Sequence, residues 1–89
     1  YFGKAESYFF LKSHDLAISA YEKYIEIFPQ GEKKSVSTLR LGQSLYLKDE
    51  YEKALVKFSS IDSKYLEDDF KQILYFYTGK VYRVKGENV

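Results

Sequence analysis

Residues 51–58 of the chain read YEKALVKF, and residues 14–21 read HDLAISAY. The two stretches share an alanine at their fourth position and an aromatic residue four positions after it. Ala54 follows Ala17 by 37 residues. Similarity at a fixed step of this size is the signature of repeat architectures, in which one supersecondary unit occurs several times. The sequence therefore predicts a repeating unit of 37 residues.

The same step connects other positions along the chain. Small residues recur at one phase, at Ala5, Gly42 and Gly79. Large residues recur at two others, at Tyr8, Leu45 and Tyr82 and, with one smaller member, at Tyr1, Thr38 and Tyr75. Because small residues align with small ones and large with large, the step reflects packing rather than chance.

Within each unit the apolar residues follow helical spacing, with members three or four positions apart. We expect Ser13 and Asp49 to cap the second and fourth helices with their side chains. The connections are short, so neighbouring helices should form antiparallel hairpins. The predicted fold is all-α, with helices at about 1–12, 14–28, 32–47, 51–63 and 67–85.

These residues resemble the tetratricopeptide repeat. That pattern places Leu-Gly in its first helix and Ala, then an aromatic residue, in its second; the middle unit has Leu41-Gly42, Ala54 and Phe58. The resemblance implies antiparallel helix pairs stacked as a right-handed superhelix. It divides the single domain, 1–89, into two full repeats and a half, at about 1–30, 31–66 and 67–85. We interpret the chain as a segment of a longer protein.

The small residues of the repeat are expected to allow close helix packing. A large side chain between two paired helices would force them apart, and glycine inside a helix is otherwise unfavourable. We therefore predict that the helices of each pair approach most closely at Ala5, Gly42 and Gly79 on the first helix, with Ala17 and Ala54 on the second.

Composition excludes several classes of function. The chain has no cysteine, one histidine and a formal net charge of +1, which leaves no thiolate metal site and no strongly basic surface for nucleic acid. No apolar run is long enough to span a bilayer. His14 precedes Asp15, but no serine or cysteine in a strained turn accompanies the pair, and His14 lies at a predicted helix start. We predict no enzymatic activity, no metal and no cofactor.

The resemblance also implies where a partner would bind. Members of the family hold ligands in a concave groove lined by the first helix of each repeat. The first unit would contribute Phe2, Glu6 and Phe9, the second Val36, Leu39, Gln43 and Tyr46, and the third Ile73, Phe76, Lys80 and Arg83. Three of these, 37 residues apart, are expected to form an exposed apolar stripe: Phe2, Leu39 and Phe76. Lys80 and Arg83 would receive acidic groups of the partner.

The predicted function is protein or peptide binding in a scaffold role. Two alternatives stay open: a structural assembly or dimerisation domain whose groove the parent chain covers, and an accessory domain of an enzyme. The last predicted helix has no partner helix within the chain, so a homo-oligomer could form through it. The repeats loosely resemble those of bacterial outer-membrane assembly lipoproteins and periplasmic cell-division coordinators. That likeness favours a bacterial periplasmic or outer-membrane location, with the cytoplasm as the alternative.

Overall fold

A computed structural model describes residues 2–31 and 33–86. Every regular element in these two ranges is helical, which confirms the all-α prediction. A single 3₁₀ turn, Ser63–Tyr65, lies between the last two α-helices. The five α-helices are α1 (Phe2–Phe10), α2 (His14–Ile27), α3 (Lys34–Leu47), α4 (Tyr51–Ser59) and α5 (Asp68–Val84).

The helix boundaries differ from the prediction mainly after α4. We predicted one helix to residue 63, but α4 ends at Ser59. The carboxylate of Asp62 accepts the backbone N–H of Lys64 at 3.1 Å, so this side chain opens a separate turn instead of continuing the helix. Tyr1 and Glu32, the first residues of two predicted helices, and residues 87–89 lie outside the described ranges.

Three helices end in the same way at intervals of 37 residues. The residue that follows α1, α3 or α5 by two positions has a positive φ: 62° at Lys12, 65° at Asp49 and 77° at Gly86. After α1, the N–H of Ser13 donates to the carbonyl of Tyr8 at 2.9 Å. After α3, the corresponding bond joins Glu50 to Leu45 at 2.9 Å. These bonds define the Schellman ending at α1 and α3. At α5 the described residues show the positive φ and a bond from the N–H of Gly86 to the carbonyl of Arg83 at 3.2 Å.

The predicted caps are wrong in detail. Ser13 does precede α2, but its side chain makes no capping hydrogen bond. Glu50 rather than Asp49 is the N-cap residue of α4. Asp49 belongs to the ending of α3, and its carboxylate accepts the hydroxyl of Tyr51 at 2.7 Å. The left-handed backbone of Asp49 therefore removes it from the capping position.

The core is built around α3. Consecutive helices pack against each other from α1 to α5, and α3 contacts all four of the others. Most of its residues from 37 to 45 are consequently buried. None of the described helices is both long enough and apolar enough to cross a lipid bilayer.

Candidate partner-binding surface

The small residues of the repeat occupy different environments. Ala5, Ala17 and Ala54 are fully buried. Gly42 is buried too, and a Cβ placed there would lie 2.5 Å from Cε1 of Phe58. Gly79, by contrast, is exposed, and an added Cβ would meet nothing within 4 Å. The expected close packing at Gly79 is therefore not met within the described residues, because no second helix lies against that side of α5.

The groove residues expected from the first unit are half-buried and make contacts within the chain. The ring of Phe2 lies 5.7 Å from that of Tyr24 and 6.3 Å from that of Tyr21, centroid to centroid. The carboxylate of Glu6 accepts the hydroxyl of Tyr21. Burial, and then this carboxylate, raise the pKa of Tyr21 above its usual value near 10, because both disfavour the phenolate.

Arg40 connects this unit to the next helices. Its Nε donates to Glu6 Oε1 at 3.2 Å, and its Nη1 donates to Gln43 Oε1 at 3.2 Å. The guanidinium carbon also lies within 5.5 Å of three phenylalanine ring centroids. Those rings belong to Phe9, Phe10 and Phe70. Only 11% of the Arg40 side chain is exposed, so the ion pair is largely shielded from solvent.

Sequence analysis did not single out Arg40. A lone arginine between apolar residues of a helix gives no periodic signal, and its aromatic partners come from α1 and α5. The one available sign was its place next to the expected groove residue Leu39.

In the second unit, the structure contradicts the expected exposed stripe of Phe2, Leu39 and Phe76. Leu39 is fully buried in the core and cannot belong to an exposed surface. Gln43 is buried as well, whereas Val36 and Tyr46 are half-buried. The physical reason is the central position of α3, whose sides are covered by its four neighbours. The proposed combination of Phe2, Leu39 and Phe76 is thus wrong as an exposed stripe.

The third unit is more accessible. Phe76 is 58% exposed, and Arg83 is exposed as well. Nζ of Lys80 lies 5.0 Å from the ring centroid of Phe76, within reach of a cation–π interaction. Ile73 is half-buried and packs against the core. This unit therefore carries an exposed apolar ring with two cations on the same helix.

A different apolar stripe is exposed. Phe10, Leu47 and Val84 are the final residues of α1, α3 and α5, and each follows the previous one by 37 residues. Their exposed fractions are 63%, 46% and 48%. Contiguous exposed apolar patches are typical of interaction sites, whereas single exposed apolar residues are ordinary. We call these three residues the helix-end stripe.

The sequence contains one histidine, a weak catalytic candidate. His14 is the first residue of α2 and is half-buried. Among the described residues, no group of three or more histidine, aspartate or glutamate side chains is arranged to hold a metal ion.

Comparison with known proteins gives one match. Residues 1–31 match the family model described as tetratricopeptide repeat. No curated protein and no solved structure matches the chain. Repeats of this family are protein–protein interaction motifs and are typically non-catalytic. The bacterial envelope location stays a prediction.

Proposed function

We propose that this chain, a tetratricopeptide-repeat protein by the match of residues 1–31, binds a partner protein along the helix-end stripe. The observation that carries the proposal is the exposure of Phe10, Leu47 and Val84 at equivalent places on three successive first helices. A partner segment that lies across the three helix ends would contact one apolar residue at each step.

The α5 side of this surface supports a preference for acidic character in the partner. Lys80 and Val84 are four residues apart and therefore neighbours on one face of α5. Phe76 lies one turn before Lys80 on the same side. We infer that the partner segment is apolar with an aspartate or glutamate near its α5 end. Lys80 would then form a charge-assisted contact at the edge of an apolar interface.

Selection from a displayed peptide library tests the proposal. Peptides selected on the wild-type chain should be apolar with an acidic residue. Phe10→Glu or Leu47→Glu should weaken their binding about tenfold or more. The loss of an apolar anchor from an interface reduces the binding free energy by at least ~1.4 kcal/mol, which corresponds to that factor. Lys80→Glu should weaken acidic peptides more than their amide-substituted versions.

Val56→Glu is the matched control. Val56 is an apolar residue of α4 that is 65% exposed and is not one of the three residues of the stripe. It receives the same substitution and should bind selected peptides like the wild type. The proposal would be wrong if the Phe10 and Leu47 variants, shown to be folded by circular dichroism, bound as tightly as this control.

A further inference from the structure

A groove lies between α2 and α4, both of which pack on α3. Its volume is about 520 Å³, a size typical of ligand sites. The floor is apolar: Leu45 is 5% exposed, Ile18 is half-buried, and Val56 is 65% exposed at the rim. Units of a repeat protein contact only their neighbours along the stack, so a groove between α2 and α4 is not where a further unit would pack.

The two walls of this groove carry opposite charges. The α2 wall has Asp15 and Glu22, which are seven residues apart and therefore on one side of the helix. The α4 wall has Lys53 and Lys57, which are four residues apart and neighbours on one side. An acidic wall and a basic wall thus border the apolar floor. We call these walls and the floor the α2–α4 groove.

The wall charges are paired at one end of the groove only. There, Nζ of Lys48 pairs with the carboxylate of Asp15, and Lys53 pairs with the N-cap glutamate of α4 at 3.0 Å. Lys57 lies one turn beyond Lys53, and Glu22 lies two turns beyond Asp15. Neither Lys57 nor Glu22 forms an ion pair with any other residue that the structure describes. Both charges are therefore available to a partner.

We propose that the α2–α4 groove binds an amphipathic helix of a partner protein, with a lysine or arginine against Glu22 and an aspartate or glutamate against Lys57. Amphipathic helices bind other proteins by laying their apolar face in a groove of this kind. An apolar floor alone would accept any apolar segment. The charged walls make the groove selective, because they favour a helix whose apolar stripe has a basic flank and an acidic flank.

The opposite charges also select one direction for the bound helix. Turning the helix end to end, with its apolar stripe kept on the floor, exchanges its two flanks. The basic flank would then face Lys57 and the acidic flank would face Glu22. Like charges that face each other across an interface are unfavourable. We therefore expect a single binding direction.

Selection from a displayed library of helical peptides, with a counter-selection, tests the proposal. Peptides that bind the double variant Glu22→Lys/Lys57→Glu are removed first, and the remainder is selected on the wild-type chain. Peptides of the helix-end stripe bind both chains and are depleted, so the result does not depend on the stripe. The surviving peptides should carry basic residues on one flank of an apolar stripe and acidic residues on the other.

Exchanging the charges makes the test specific. Glu22→Lys or Lys57→Glu alone should weaken the binding of a surviving peptide about fivefold or more in fluorescence anisotropy titrations, because like charges then face each other. A peptide with its basic and acidic residues exchanged should bind the double variant instead of the wild type. Lys64→Glu is the matched control. Lys64 has a side chain that is 68% exposed in the 3₁₀ turn, outside the groove, and its variant should bind like the wild type.

Val56→Glu separates the two kinds of peptide. A carboxylate on the floor should abolish the binding of groove peptides, whereas peptides of the helix-end stripe bind this variant like the wild type. The absence of any surviving peptide would overturn the proposal. Surviving peptides that bind the Glu22 and Lys57 single variants as tightly as the Lys64 variant would overturn it as well.

Discussion

The glycines show how one residue type has opposite effects in equivalent places. Gly42 is required because Phe58 occupies the space of a side chain, whereas Gly79 has open space around it. The sequence placed the two residues in the same phase of the repeat. It could not reveal the difference, because that depends on whether a second helix covers each position.

Gly42→Ala should destabilise the fold by about 1–3 kcal/mol, because the new methyl group would overlap the ring of Phe58. Gly79→Ala should stabilise it by up to about 1 kcal/mol, since alanine favours a helix and meets no neighbour there. Urea unfolding of both variants in dilute solution measures the difference. A loss of stability in both variants would mean that Gly79 is covered after all.

Lys12 lies in a conformation that suits glycine better than lysine. Its φ of 62° costs about 1–2 kcal/mol for a residue with a Cβ. We therefore expect Lys12→Gly to raise the free energy of unfolding by about 0.5–1 kcal/mol. Lys23→Gly, the same substitution inside α2 on an exposed side, should lower it by a similar amount. If both variants lose stability in thermal unfolding, strain at Lys12 is not significant.

At the scale of elements, most of the fold followed from periodicity. The number and order of the helices were predictable because apolar spacing and short connections repeat along the chain. Which residues of α3 are exposed could not be predicted from the pattern. Leu39 has the same position in the repeat as Phe76, yet Leu39 is buried and Phe76 is exposed. Its burial results from the central place of α3 in the stack, which a pattern within one helix does not encode. Arg40 was missed for a related reason, since its contacts join α1, α3 and α5.

The Arg40 pair holds α1 against α3, and its loss should be costly. Arg40→Ala leaves Glu6, whose side chain is only 22% exposed, without its cation. We expect a loss of about 3 kcal/mol, as for other shielded pairs that lose one member. Lys53→Ala removes an exposed partner of Glu50, 3.0 Å away, and should cost less than about 1 kcal/mol. Chemical denaturation measures the free energy of unfolding of both variants. Equal losses of that free energy in the two variants would contradict the structural role of Arg40.

For the whole molecule, the stack predicts an order of local stability. Repeat proteins are stabilised mainly by contacts between neighbouring units, so a helix with neighbours on all sides opens least often. α3 contacts the four other α-helices, whereas α5 leaves the side around Gly79 uncovered. Amide hydrogen exchange in dilute solution should therefore be slowest in α3 and faster in α5. Uniform exchange rates across the helices would indicate that the chain opens only as a single unit.

The recurring helix endings at Lys12, Asp49 and Gly86 allow the chain to change length in whole steps. A second copy of residues 13–49 inserted directly after Asp49 would create a junction with the same flanking residues as the existing ones. Tandem duplication could thus add a helix pair, and with it one more apolar anchor, without any new kind of joint. The length of partner segment that the stripe can contact would then increase by gene rearrangement rather than by point substitution.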